Sequence, residues 1–174
     1  MIDDFCPINL DFIASDIKDE DLYETLSDRL GVEYLSEATR EQELDKVIGI
    51  LYGDYQRLFV TMTVELKGMM KNVHFLVNTG SPKTFICKDV LNKYNLTKID
   101  PNEPIVVKLN DRQISVKVSP HDSRFHNINL LGTDYLHIYG AQIFVDFDEK
   151  YITMKFKTSP DPKKEGKSVV ECLN

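Results

Sequence analysis

At Gly53 the spacing of the apolar residues changes character. From Leu58 to Leu66 the chain reads Leu-Phe-Val-Thr-Met-Thr-Val-Glu-Leu, a largely alternating run rich in β-branched side chains, which suits a pleated strand with one buried face. A turn over residues 68–72 and a second strand over 73–77 follow. Further strands are expected at 84–87, 105–109, 114–118, 141–146 and 151–156, with a short helix over 88–94. Ahead of Gly53 the pattern predicts helices over residues 19–30 and 39–55. In the second, Leu44, Val47, Ile48, Leu51, Tyr52 and Tyr55 share one helical face, and Thr39 with Gln42 can form a capping box. Such a stripe needs a covering surface, and the sheet that follows is the simplest one.

A chain of 174 residues can bury a proper core, and 42% apolar with 28% charged residues is ordinary for a globular protein. No apolar run approaches the ~18 residues that cross a membrane, so no membrane partner is expected. The acidic opening Met1-Ile2-Asp3-Asp4-Phe5 lacks the basic-then-apolar order of an export signal, which points to a cytoplasmic location. The net charge of -7 is uneven: residues 1–45 hold 14 acidic and 3 basic side chains, the remainder 14 and 18. An acidic leader, and the lack of an aromatic and basic cluster, argue against a nucleic-acid partner. Cys6, Cys87 and Cys172 lie far apart without metal or redox spacing and read as plain thiols.

Two segments carry the chemistry. Phe75-Leu76-Val77-Asn78-Thr79-Gly80-Ser81-Pro82 is an apolar strand running into a polar turn, and Ile128-Asn129-Leu130-Leu131-Gly132-Thr133-Asp134-Tyr135-Leu136 follows further along. Asn-Thr-Gly alone reads as an ordinary turn. Together, in this order and spacing, the pair resembles the two signatures of the retropepsin family of aspartic proteases, over roughly residues 58–156. The resemblance implies a mainly β fold, a closed acid-protease barrel with an α-helical N-terminal extension. It divides the chain into an acidic helical region (1–56), a retropepsin-like domain (57–157) and a flexible C-terminal tail (158–174).

It also implies a homodimer acting on a polypeptide substrate, with no metal or cofactor. In the family each chain donates one aspartate, and the pair shares a proton because like charges that close cannot both ionise. Asn78 stands at the aspartate position, Thr79 and Gly80 complete the catalytic turn, Ser81 is a substrate-binding candidate, and Leu131 and Gly132 form the supporting loop. Gly80 would permit a close backbone approach. Asparagine nearly matches the shape of aspartate but neither ionises nor serves as a base near neutral pH. Positioned proton transfer contributes on the order of 10² to 10⁴ in rate, so the chain as written is expected to be inactive. The intact Thr79, Gly80 and Ser81 favour a single aspartate-to-asparagine substitution over long drift. The alternative is a natural pseudoprotease serving as a dimerisation or peptide-binding module.

A retropepsin usually covers its cleft with a glycine-tipped flap, yet no glycine occurs from Ser81 through Leu131. The hairpin expected over 106–118, turning at Asn110-Asp111, is either a shortened flap or the strand pair that follows one. If the flap is missing, the acidic N-terminal helices are a candidate cover. Thr133 and Asp134 read as caps of a helix running to about Tyr139, which makes Asp134 a poor candidate catalyst. His121, Asp122 and His126 lack the further ligands and spacing of a zinc site.

Overall fold

The computed structural model describes residues 16–100 and 102–157. The expected C-terminal tail, Cys6 and Cys172 lie outside them. The fold is mainly β. Two short helices, α1 (Asp19–Tyr23) and α2 (Thr25–Leu30), open the described chain, broken at Glu24 within the single helix expected there. Nine strands follow in one sheet: β1 (Lys46–Tyr52), β2 (Arg57–Leu66), β3 (Met69–Val77), β4 (Phe85–Ile86), β5 (Ile105–Leu109), β6 (Arg112–Val118), β7 (Asn129–Leu131), β8 (Gln142–Asp146) and β9 (Tyr151–Lys155). Helix α3 (Lys88–Lys93) follows β4, and α4 (Thr133–Ile138) follows β7.

The sheet order is β3-β7-β4-β6-β5-β2-β1-β9-β8, and β2 also pairs with β3. That additional pairing closes β3, β7, β4, β6, β5 and β2 into a six-stranded barrel. Strands β1, β9 and β8 continue from β2 as an arm outside it. Val60, Met62, Val64, Val73 and Phe75 are all essentially fully buried. The two-residue spacing of Val60, Met62 and Val64 along β2 is the period-2 signal read from the sequence, whereas β3 is buried on both faces from Lys71 to Val77.

The helix expected over 39–55 is not formed. Its capping box begins as foreseen, with the Thr39 N–H donating to Gln42 Oε1 at 2.9 Å, but only one 3-10 turn (Arg40–Gln42) follows. Residues 46–52 are strand β1, hydrogen-bonded to β2 on one side and β9 on the other. Val47 and Leu51, four apart, satisfy a helical face and a strand alternation equally well, so their spacing could not separate the two, while Tyr52 falls on the opposite face of the strand. Tertiary pairing decides. Gly49 shows how closely: a Cβ there would lie 2.0 Å from the Phe59 carbonyl oxygen. The strand expected over 73–77 begins earlier, at Met69, because the turn needs only Lys67 and Gly68, both at positive φ.

The β5–β6 hairpin turns at Asn110 and Asp111, whose φ values of 45° and 59° are those of a two-residue hairpin turn. It is barrel wall. Ile114, Val116 and Val118 point inward from β6, and the Asn110 side chain accepts the Thr63 N–H at 2.8 Å and donates to the Leu44 carbonyl. A tip held in this way does not serve as a hinged flap. Among the described residues no helix is long and apolar enough to cross a membrane.

Candidate active site

The two sequence segments meet. Strand β3 lies parallel to β7, with Phe75 opposite Asn129, Leu76 opposite Leu130 and Val77 opposite Leu131. Apolar side chains bury both strands, so the turn that follows β3 leaves a rigid base. The register carries on by one hydrogen bond past the strand end, from the Asn78 N–H to the Leu131 carbonyl at 3.0 Å.

The turn itself is locally closed. Asn78 Oδ1 accepts the Gly80 N–H at 2.9 Å, and the Asn78 carbonyl accepts the Ser81 N–H at 3.1 Å. This is the side-chain-to-backbone turn that Asn and Asp make readily. Asn78 is buried, and among the described residues its Nδ2 has no hydrogen-bond partner. An unpaired amide N–H₂ costs roughly 1–3 kcal/mol when buried. Thr79 and Gly80 are exposed, whereas Ser81 is fully buried, its hydroxyl donating to the Lys83 carbonyl at 2.6 Å. Ser81 is thus occupied in holding the turn.

Gly132 begins the second loop and is the N-cap of α4. A close approach of the kind expected at Gly80 is found here: a Cβ on Gly132 would lie 2.2 Å from the Lys83 carbonyl oxygen and 2.3 Å from its carbon. The Gly132 N–H donates to Thr84 Oγ1 at 3.1 Å, and the Thr133 N–H donates to the Ser81 carbonyl at 2.8 Å. Asp134 does not cap α4 across its first turn as the sequence suggested. Its carboxylate accepts the Thr84 N–H at 3.0 Å, the Thr84 hydroxyl at 2.7 Å and the adjacent Tyr135 N–H at 2.8 Å. A carboxylate so fully engaged sews one loop to the other.

A second polar cluster lies behind these strands. His74, on β3, is fully buried between the Ser27 hydroxyl, 3.2 Å from Nε2, and the Thr61 hydroxyl, 2.9 Å from Nδ1, with the Tyr34 ring stacked on it. Burial pushes its pKa down to about 4, so it is neutral at ordinary pH. No local signal marks Tyr34, His74 and Asn129 as partners, because they are far apart in sequence. His121 and His126 line a cavity of about 180 Å³ with Lys88, Leu91 and Val118 and, among the described residues, join no cluster of three metal-ligating groups. The described residues that do come together are Glu43, Glu65 and Asp111, bridged by Arg40 and Lys108.

Comparison with protein-family models finds no match to this chain, and no curated protein matches it. Among solved structures, a retropepsin-like aspartic protease from Rickettsia conorii aligns with 64% of this chain and 90% of its own, at 18% sequence identity and a TM-score of 0.44.

Proposed function

We propose that the chain is an aspartic endopeptidase of retropepsin type, one half of a two-chain active site, with Asn78 at the position of the catalytic aspartate. The observation that carries this reading is the Asn78 side chain. It sits at the end of a buried strand, fixed through its backbone to Leu131 and through Oδ1 to Gly80, with Nδ2 buried and without a partner among the described residues. One face of the group is thereby held and the other left for a matching group from a second copy.

With aspartate at both positions, one carboxylate would deprotonate water while the other protonated the peptide carbonyl, and the pair would titrate as a unit. With Asn78 in both chains that proton transfer is lost, and the dimer is expected to bind an extended peptide without cleaving it. Substrate would lie between the subunits with its backbone paired like an added strand. The reading requires no metal or cofactor and implies neither a nucleic-acid nor a membrane partner. It fits a cytoplasmic protein of retroelement, viral or domesticated cellular origin.

The test is the Asn78→Asp variant, incubated with unstructured protein under mildly acidic conditions. Cleavage by that variant, absent with Asn78, supports the endopeptidase. A variant that forms a stable dimer and still cleaves nothing favours the second reading, a peptide-binding or dimerisation module on the same fold.

A further inference from the structure

A cavity of about 180 Å³ opens between α3, the loop that follows it and the segment linking β6 to β7. Leu91 and Val118, both buried, and the half-buried Leu96 and Ile99 give it an apolar floor. Hydrogen bonds hold these walls. The Leu96 N–H donates to the Leu91 carbonyl at 3.0 Å, the Ser119 N–H to the Ile86 carbonyl at 2.9 Å, and the Ser119 hydroxyl to the Ile128 carbonyl at 3.0 Å. The space is therefore preformed, and a ligand entering it has little protein to order.

The rim runs against the charge of the whole chain. The net charge is -7, yet among the described residues no carboxylate lines the cavity, whereas Lys88, His121 and His126 do. Lys88 enters no ion pair among the described residues. His126 Nδ1 lies 2.8 Å from the Ser123 carbonyl, and a carbonyl only accepts, so Nδ1 carries the hydrogen and Nε2 is the ring nitrogen left for a ligand.

We propose that this cavity binds a small organic monocarboxylate whose apolar body is one ring or a branched chain of about six carbons. Size selects the body: an apolar protein cavity of roughly 150 Å³ holds one benzene ring. Lys88 selects the head, because one fixed cation matches a single negative charge, and a phosphate dianion would keep a charge unpaired beside apolar side chains. None of the lining residues belongs to the Asn78 turn or the Gly132 loop, so binding here does not depend on the endopeptidase reading.

Calorimetric titration of the full chain with phenylacetate, and with its neutral isostere phenylacetamide, tests this. Phenylacetate is expected to bind once per chain with a dissociation constant on the order of 0.1–1 mM, and the amide about tenfold more weakly. Lys88→Gln should remove that preference and leave the amide affinity as it was. Leu96→Trp, which fills the cavity, should abolish binding of both with the circular dichroism spectrum unchanged. Equal affinity for acid and amide overturns the proposal, as does an absence of phenylacetate binding up to about 20 mM. Phenylacetate binding indifferent to Lys88→Gln also overturns it, and because Lys88 is exposed that variant decides the matter even where Leu96→Trp does not fold.

Discussion

The Asn129 side chain donates from Nδ2 to the Tyr34 hydroxyl at 2.8 Å and to the His74 carbonyl at 3.1 Å, while its Oδ1 accepts the Cys87 N–H at 2.8 Å. One amide thus joins the N-terminal segment to β3 and to the end of β4, one residue before the pair of leucines that supports the Asn78 turn. Asn129→Leu leaves those groups unpaired in a dry interior and is expected to cost about 3 kcal/mol, read as a lower urea midpoint. Tyr34→Phe, which removes one hydroxyl, is expected to cost about 1 kcal/mol.

The same junction bears on the idea that the N-terminal helices form a removable cover. Ser27 Oγ accepts the Tyr34 N–H and contacts His74, and residues 35–38 pair with β3 through the Leu35 and Ala38 N–H groups. Deleting residues 1–38 is therefore expected to expose His74 and Asn129 and to unfold the barrel at lower urea, rather than to open a cleft on an otherwise unchanged domain.

Acidity should weaken the fold through His74. Its pKa is held at about 4 in the folded chain, below the ordinary value near 6.5, so the unfolded chain takes up the proton first. The stabilisation is fully present above about pH 6.5, fades as pH falls, and is lost through about pH 4, at most about 3 kcal/mol in all. Urea midpoints between pH 7.5 and 4 should fall accordingly, and His74→Gln should flatten that slope.

Gly132→Ala puts a methyl group against the Lys83 backbone, where neither loop can yield without losing the hydrogen bonds that tie them. A loss of at least about 3 kcal/mol is expected in thermal or urea unfolding. In the Asn78→Asp background any cleavage should fall with it.

Asp134 provides a contrasting case. Asp134→Asn keeps an acceptor for the Thr84 N–H but weakens the charge-assisted bond from the Thr84 hydroxyl, for an expected cost of about 1–2 kcal/mol. Because Asp134 is a tie between loops and not an acid, the pH profile of cleavage in the Asn78→Asp background should keep its shape.

Much of the barrel could be read from local pattern. The alternation along β2, the hairpin turn at Asn110-Asp111 and helix α3 all come out as the residues themselves prefer. The meeting of Val77 with Leu131 is implied instead by the resemblance of the two segments to the family signatures, because no local pattern pairs residues so far apart in sequence. The helix wrongly expected over 39–55 marks the limit. Its apolar spacing served two periods, and strands β2 and β9 supplied hydrogen bonds on both sides that an isolated helix could not match.

Within the candidate site the division is similar. The turn at Asn78, Thr79 and Gly80 is a local feature, but it stands out as a site only through the resemblance that the second segment completes. That Ser81 is buried, that Asp134 binds Thr84, and that Gly132 is the glycine the packing cannot replace are facts about distant backbone atoms brought together.

The amino-acid order by itself determined that a β-rich body follows an acidic leader and that position 78 carries an amide incapable of acid–base work, because side-chain chemistry and period are local properties. Only the tertiary structure decided that residues 46–52 join the sheet, that Tyr34 and His74 lock the leader to the barrel, and that one face of Asn78 has no partner among the described residues. Those outcomes depend on which hydrogen-bonding groups remain unpaired once the whole chain has packed, and no window of sequence contains that information.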